Sequence, residues 1–255
     1  MISIMIYSPS FGDHDSILQL GAKLNQLFGA RLHFLQQAGE PNTGGHHLLA
    51  DQGDTGLSGL KINEHRVTKV TGDIARSYIK AVDTDLVILQ LGEDGFSARH
   101  VQAISQMVED LSLPVLLLKN DFNITKLHHV LLILDAEYFG RGLQINKLRQ
   151  LFESQNTKIH LLHVMQKRES EDIAKEQLRF FAKTYGITHE HAHVALAKES
   201  EAVILKICRE SSIDLLCIRT NGGKSKGKPM VKDIDLNFLL ETKTPILTFH
   251  LKHYD

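Results

Sequence analysis

The sequence predicts the α/β fold class, with two tandem open parallel five-stranded sheets and helices on both faces of each sheet. Short apolar runs typical of strands alternate with amphipathic segments of about 10–15 residues, an order that favours right-handed βαβ crossovers and a parallel sheet. The same order of elements occurs twice within 255 residues. Matching positions are separated by a nearly constant interval, as three pairs show: Ile4 with Leu131, Leu86 with Leu215, and Pro114 with Pro245.

The first half contains five predicted strands and three predicted helices. The strands cover residues 2–7, 31–35, 67–70, 85–91 and 114–118, and the helices cover 15–28, 73–82 and 98–111. The segment 85–91 is apolar along most of its length, as a strand covered on both faces requires. Gly29 directly follows the first helix and predicts a left-handed C-terminal cap. Residues 39–59 contain six glycines and predict a loop.

The second half repeats this arrangement. Its predicted strands cover residues 130–134, 158–164, 189–196, 214–218 and 245–250, and its predicted helices include 141–153, 169–185 and 201–210. We therefore place the first domain at residues 1–120 and the second at 127–255, with a linker near 119–127. In such doubly wound sheets, ligands bind beyond the carboxyl ends of the strands, so candidate site residues are sought there.

Composition narrows the classes of function. The chain has 29 basic and 30 acidic residues and a net charge of −1, so it lacks the broad positive field that nucleic acids or anionic lipids attract. No apolar run approaches the roughly 20 residues that span a bilayer. Cys208 and Cys217 both lie in apolar stretches, which predicts reduced, buried thiols. We expect a soluble cytoplasmic protein without a nucleic-acid or membrane partner.

The ordered motifs of the two halves carry a family resemblance. The second half reads VLLILD at 130–135, KIHLLHV at 158–164, DLLCI at 214–218 and PILTF at 245–249, and the first half matches at 31–35, 70–72, 85–89 and 114–118. This set resembles the universal stress protein family in its tandem, two-domain form. The resemblance implies two UspA domains of adenine nucleotide alpha hydrolase-like fold in a cytoplasmic stress-response protein. It also implies pairing of domains, either as a homodimer or within one chain.

The resemblance further implies a site for ATP or another adenine nucleotide in the second domain. Asp135 matches the aspartate that closes the first strand, and Val164 matches the residue at the end of the second strand that holds the base or ribose. The family's phosphate loop has the pattern G-x2-G-x9-G-[ST]. Its four defining positions fall here on Arg219, Gly222, Lys232 and Asp233.

This loop departs from the family pattern, because only Gly222 keeps the expected residue. Asp233 would place a carboxylate where phosphate should bind, an unfavourable charge unless a lysine or a metal offsets it. Four lysines lie in the same segment and could provide an anion site by charge, although a solvated loop is the favoured interpretation; they are Lys224, Lys226, Lys228 and Lys232. In the first half, Ser8 stands where the aspartate belongs, and Gly92 and Gly95 are separated by acidic residues, which disfavours nucleotide.

Histidine is abundant, with 15 residues in the chain. His189, His191 and His193 alternate along one predicted strand and therefore share a face. At a rise of about 3.3 Å per residue they are too far apart for all three to bind one zinc or copper ion, although one or two could do so with a residue from elsewhere. A polar strand face is the favoured interpretation, with no metal. His33 and His160 occupy equivalent positions in the two halves, which indicates a structural role.

The leading prediction is a non-enzymatic regulatory protein with degenerate nucleotide sites. Its two domains are expected to form an intramolecular pseudo-dimer through their fifth strands, 114–118 and 245–249. A first alternative is a weak ATPase or nucleotidyl-transfer enzyme, which would need a base and a phosphate loop that the sequence does not clearly offer. A second alternative is a sensor module that binds another small anion or a hydrophobic ligand.

Overall fold

The structure, a computed structural model, describes residues 3–7, 20–22, 24–26, 29–37, 62–67, 72–90, 113–118, 127–135, 156–165, 169–220, 242 and 244–250. The chain divides into two compact units. The first comprises Met1–Gly95 with Leu118–Phe122, and the second comprises Phe96–Leu117 with Asn123–Asp255. The domain bounds 1–120 and 127–255 stay predictions.

The first unit contains four parallel strands in the order β3-β2-β1-β4. Helix α1 (Gly72–Ala81) connects β3 to β4, as a parallel crossover requires. Residues 20–22 and 24–26 are also helical. The strands are β1 (Ser3–Tyr7), β2 (Arg31–Gln37), β3 (Ile62–Val67) and β4 (Leu86–Gln90).

The second unit contains a mostly parallel sheet in the order β5-β10-β9-β6-β7-β8, in which only β5 runs antiparallel to its neighbour. Helix α2 (Glu171–Tyr185) joins β7 to β8, and a short 3₁₀ turn with helix α3 (Ser200–Glu210) joins β8 to β9. The predicted α/β class with a mostly parallel sheet is confirmed. The strands are β5 (Val115–Leu118), β6 (His129–Asp135), β7 (Lys158–Met165), β8 (His189–Leu196), β9 (Leu215–Thr220) and β10 (Ile246–His250).

Helix α2 shows how local sequence defines an element. The side chain of Ser170 accepts a hydrogen bond from the Ile173 backbone N–H at 3.3 Å, which caps the helix start. Gly186 ends the helix with a positive φ of 61°. The helix packs against β7 and β8 through an apolar face. Its buried residues recur at helical spacing and are Ala174, Leu178, Phe181 and Ala182.

The central strands of the second unit form its core. Residues 130–134 of β6 are all buried, as are residues 159–165 of β7 and 215–218 of β9. Burial of every consecutive residue means that both faces of these strands are covered, which explains the continuous apolar runs in the sequence. No helix in the described part of the chain is long and apolar enough to cross a membrane.

The start of strand β3 differs from the sequence prediction. The strand occupies Ile62–Val67 and so begins five residues before the predicted bound at 67, whereas residues 68–70 lie outside the described residues. It lies at the end of the strand order and pairs only with β2 in the described sheet, and its Asn63 is exposed. The mostly polar sequence INEHRV therefore gives no apolar signal. The predicted loop 39–59 and helices 98–111 and 141–153 lie outside the described residues, whereas Gly29 has the predicted left-handed conformation, with φ of 59°.

The same hydrogen bonds occur at the start of the first strand in both units. In the first unit, a carboxylate oxygen of Asp85 accepts from the Ser3 N–H at 3.0 Å, and the Asp85 N–H donates to the Ser3 carbonyl at 2.8 Å. In the second, Asp214 makes the same two contacts with His129, both at 2.9 Å. The aspartate before each fourth strand therefore fixes where that strand pairs.

Strand register refines the correspondence between matching positions. Leu86 lies opposite Ile4, and Leu215 lies opposite Val130. The counterpart of Ile4 is therefore Val130, which directly precedes Leu131, the position expected from the sequence. By the same comparison, Met5 lies opposite His33 and Leu131 opposite His160, which confirms that these two histidines are equivalent.

Candidate functional site

Three of the predicted site residues meet at the carboxyl edge of the second unit. Asp135 is the last residue of β6 and lies opposite Val164 in β7. Arg219 follows Ile218 near the end of β9, and Ile218 lies opposite Ile133 of β6. Since β7, β6 and β9 are parallel neighbours, their carboxyl ends share one edge of the sheet, where ligands of doubly wound folds bind.

Val164 is only 4% exposed, so its side chain belongs to the core. A ligand at this position would meet the backbone of β7 more readily than the valine side chain. The remaining predicted residues, Gly222, Lys232 and Asp233, lie outside the described residues, as do Lys224, Lys226 and Lys228. The nucleotide site therefore stays a prediction, and the structure places Asp135, Val164 and Arg219 near the carboxyl ends of three neighbouring strands.

A buried pair that sequence reasoning missed lies beside this edge. The fully buried His163 of β7 has its Nε2 atom 3.1 Å from both carboxylate oxygens of Glu169, whose side chain is 10% exposed. Glu169 directly precedes Ser170, the cap of α2. The contact therefore ties the carboxyl end of β7 to the start of α2. The only sequence signal was a histidine within an apolar strand followed six residues later by a glutamate.

The corresponding edge of the first unit differs in its described chemistry. Tyr7 ends β1 and lies opposite Leu35 of β2 and Leu89 of β4. Burial raises the pKa of Tyr7, so its phenol is neutral at physiological pH. Ser8, Gly92 and Gly95 lie outside the described residues. This strand end thus contributes a neutral phenol, whereas β6 ends in an aspartate.

Two histidines of β8 face the neighbouring strand β7. His191 and His193 contact His160 of β7, with ring centroids 5.3 and 6.1 Å apart. The side chain of His189 is outside the described part of the chain. Among the side chains that the structure describes, no group of three or more histidine, cysteine or acidic residues is arranged to hold a metal ion.

The two thiols are both protonated at neutral pH. Burial raises the pKa of Cys208 to about 11, an effect that a hydrogen bond with Thr244 partly opposes. Burial also raises the pKa of Cys217, which lies in the centre of β9 without exposed surface. A protonated thiol is a poor nucleophile and metal ligand, so neither cysteine has the properties of a reactive group.

Comparison with solved structures shows the fold of universal stress proteins. A protein described as a universal stress protein from Pseudomonas aeruginosa strain UCBPP-PA14 matches with a TM-score of 0.69 at 14% identity, over 97% of this chain and 92% of that chain. A protein of unknown function from Pseudomonas aeruginosa strain PAO1 matches with a TM-score of 0.68 at 14% identity, over 98% of this chain and 92% of that chain. A universal stress protein from Archaeoglobus fulgidus matches with a TM-score of 0.64 at 14% identity, over 97% of this chain and 98% of that chain.

No protein-family model matches the chain, and no curated protein matches its sequence. The similarity is therefore one of fold over nearly the full length. Because so few residues are identical, it does not extend to ligands or partners, which have to be argued from the residues of this chain.

Proposed function

We propose that this chain is a tandem universal stress protein, a non-enzymatic cytoplasmic regulator of the stress response with degenerate nucleotide sites. The observation that carries the proposal is the likeness of fold to two universal stress proteins over 97% of the chain. The ordered motifs that occur twice in the sequence support the same conclusion independently.

The local structure of the two units supports a duplicated origin. Left-handed residues recur at matching places, Gly29 and Asn156 before the second strands and Asp83 and Ser212 before the fourth strands. The members of each pair are separated by the interval at which the sequence motifs repeat. A non-glycine residue with positive φ is uncommon, so chance is a poor explanation for two matched pairs.

The register between β5 and β10 supports the proposed pseudo-dimer. Leu116 lies opposite Leu247, and these two residues are separated by the same interval as Pro114 and Pro245. Val115 pairs with Thr248 and Leu117 pairs with Ile246, so exchanging the two repeats reproduces the same contacts. This reciprocity is the signature of a two-fold symmetric interface. The buried Thr248 hydroxyl adds a hydrogen bond to the Val115 carbonyl at 3.2 Å.

The nucleotide proposal is limited to the second domain. The adjacency of Asp135, Val164 and Arg219 at one strand edge supports a site there for ATP or another adenine nucleotide. A carboxylate at the end of β6 is suited to hydrogen bonding with ribose or base donors. The replacement of two glycines by Arg219 and Lys232 and the carboxylate of Asp233 argue for weak binding.

Titration calorimetry with ATP tests this site. We expect weak binding with one site per chain that is lost in Asp135→Ala. The matched control is Asp172→Ala, which removes an equally charged, exposed carboxylate from α2. Absence of heat at millimolar ATP would remove nucleotide from the proposal. Equal loss in both variants would show that Asp135 has no specific role.

The same proteins distinguish the alternative functions. Magnesium-dependent ATP hydrolysis that disappears in Asp135→Ala would favour the weak ATPase or nucleotidyl-transfer enzyme. A small anion or hydrophobic molecule that co-purifies in native mass spectrometry, and is not displaced by ATP, would favour the sensor module. Neither result would alter the fold assignment.

A further inference from the structure

Four histidines from three neighbouring strands form a cluster in the second unit. His129 belongs to β6, His160 to β7, and His191 and His193 to β8. We call these four residues the histidine cluster. The ring centroid of His160 lies 5.4 Å from that of His129, 5.3 Å from that of His191 and 6.1 Å from that of His193, and the last two are 6.0 Å apart.

Strand register explains why the rings meet. His160 lies opposite both Leu131 and His191, and His193 lies opposite Leu162, so alternate residues of the three strands present their side chains on one face. His129, His160 and His191 lie within the first three residues of their strands, and His193 is the fifth of the eight residues of β8. The histidine cluster therefore extends from the amino-terminal end to the middle of the sheet, and none of its members is a residue of the proposed nucleotide site.

The packing of the cluster depends on neutral rings. His160 is 1% exposed, and its Nε2 atom is 3.1 Å from Nδ1 of His129. One of these nitrogens must donate and the other accept, so the hydrogen bond requires that at least one of the two rings remains neutral. His193 is half-buried, and its Nε2 atom has no hydrogen-bond partner among the described residues.

Among the side chains that the structure describes, few negative charges are placed to stabilise protonated rings. Burial lowers the pKa of His193 most, His191 lowers it further, and Glu210 of α3 opposes both effects. The Asp214 carboxylate accepts from the backbone N–H groups of His128 and His129. Lys158, two residues before His160, adds a positive charge on the same face of the sheet. The buried face of α2, which also packs against β8, is composed of alanine, leucine and phenylalanine.

We propose that the histidine cluster is a proton-sensitive switch that holds β8 on the sheet when its rings are neutral and loosens β8 when more than one ring is protonated. Strand β8 is the last in the strand order and pairs with β7 alone in the described sheet. Positive charges that accumulate between β7 and β8 therefore act on a strand that backbone hydrogen bonds hold along one edge only in the described sheet.

The sign of the pH effect follows from the lowered pKa of His193. The unfolded chain binds the proton at His193 more tightly than the folded chain does. The contribution of neutral His193 to stability is therefore fully present above the pKa of the unfolded chain, near 6.5, and decreases as the pH falls below that pKa. Each pKa unit of difference corresponds to about a tenfold change in the unfolding equilibrium constant once the pH is below both values.

Urea denaturation at pH 7.5 and 5.5 tests the switch with three proteins: the unchanged chain, His193→Gln and, as matched control, His128→Gln. His128 is exposed and directly precedes His129 in the sequence, but it lies outside the histidine cluster. The unchanged chain and His128→Gln should lose stability when the pH falls from 7.5 to 5.5. The unfolding equilibrium constant of His193→Gln should rise several-fold less over the same change in pH. The same acid response in all three proteins would overturn the proposal.

Two of three further measurements keep the test decisive if His193→Gln folds poorly. Glu210→Gln removes the compensating charge and should enlarge the acid response. Hydrogen exchange of the unchanged chain, corrected for the intrinsic pH effect, should show that protection falls in β8 before β6 and β9. Uniform loss across the sheet would contradict the switch. The cluster is a metal site instead if zinc ion raises the urea midpoint of the unchanged chain and His193→Gln loses as much stability on acidification as the unchanged chain.

Discussion

The starts of the first three strands in the two units share a backbone arrangement but differ in side chains. His33 and His160 are equivalent and buried, yet His33 lies opposite Asn63, whereas His160 lies opposite His191. At the start of the first strand, Ser3 in one unit corresponds to His129 in the other. The comparison teaches that the backbone contacts at these strand starts are the same in both units, whereas the side chains around them differ.

The largest effect is expected from opening a cavity in one unit's core. Phe34 of β2 and Leu161 of β7 are equivalent and at most 2% exposed. Phe34→Ala should cost about 3–5 kcal/mol and Leu161→Ala about 2–5 kcal/mol, because each leaves a cavity. Hydrogen exchange should locate the lost protection in β1–β4 for the first variant and in β6–β9 for the second. Loss of protection throughout both units in either variant would contradict independent cores.

Removing the aspartate that anchors the fourth strand should have the next largest effect. Asp85→Ala leaves the Ser3 N–H without its charged acceptor. Asp214→Ala does the same to the N–H groups of His128 and His129. We expect each change to lower the free energy of unfolding by about 1–3 kcal/mol. Chemical denaturation measures the loss, and Asp85→Asn and Asp214→Asn should recover part of it. Loss of stability in only one of the two alanine variants would contradict the structural equivalence of Asp85 and Asp214.

A smaller effect is expected at the left-handed residues before the second strands. Gly29→Ala should cost about 1 kcal/mol, because φ of 59° is strained for a residue with Cβ, although no atom of the described residues, apart from the chain neighbours of Gly29, lies within 4 Å of the added carbon. Asn156→Gly, at φ of 52°, should change stability by less than about 0.5 kcal/mol. Thermal unfolding of the two variants compares these positions, and an equal loss would contradict a purely conformational cost.

The smallest effect on stability concerns the thiols. With a pKa of about 11, Cys208 is about one part in a thousand thiolate at pH 8, so its reaction with a disulfide reagent should be slow in the folded chain. The completely buried Cys217 should react later still, and both should react at once in denaturant. Folding raises the pKa of both thiols. Their contribution to stability is therefore present below the thiol pKa of the unfolded chain and decreases as the pH rises above that pKa. Rapid native-state reaction of Cys217 would contradict its burial.

Sequence reasoning was most successful for buried strands. Strands β6, β7 and β9 lie within about two residues of the predicted bounds, because continuous apolar runs report burial on both faces. It placed the start of β3, an end strand with a polar sequence, five residues too late. It also identified His191 and His193 as sharing a face but could not identify His160 and His129 as their neighbours, because that adjacency depends on register between strands.

The sequence by itself determined the alternation of strands and helices, the repeated order and the cap at Gly29, because these features depend on local periodicity and backbone preference. The tertiary structure decided which residues become neighbours. It brought Asp135, Val164 and Arg219 to one edge, joined His163 to Glu169 and gathered four histidines across three strands. Such contacts depend on strand order and register, which are set by packing of distant segments and leave little trace in local sequence.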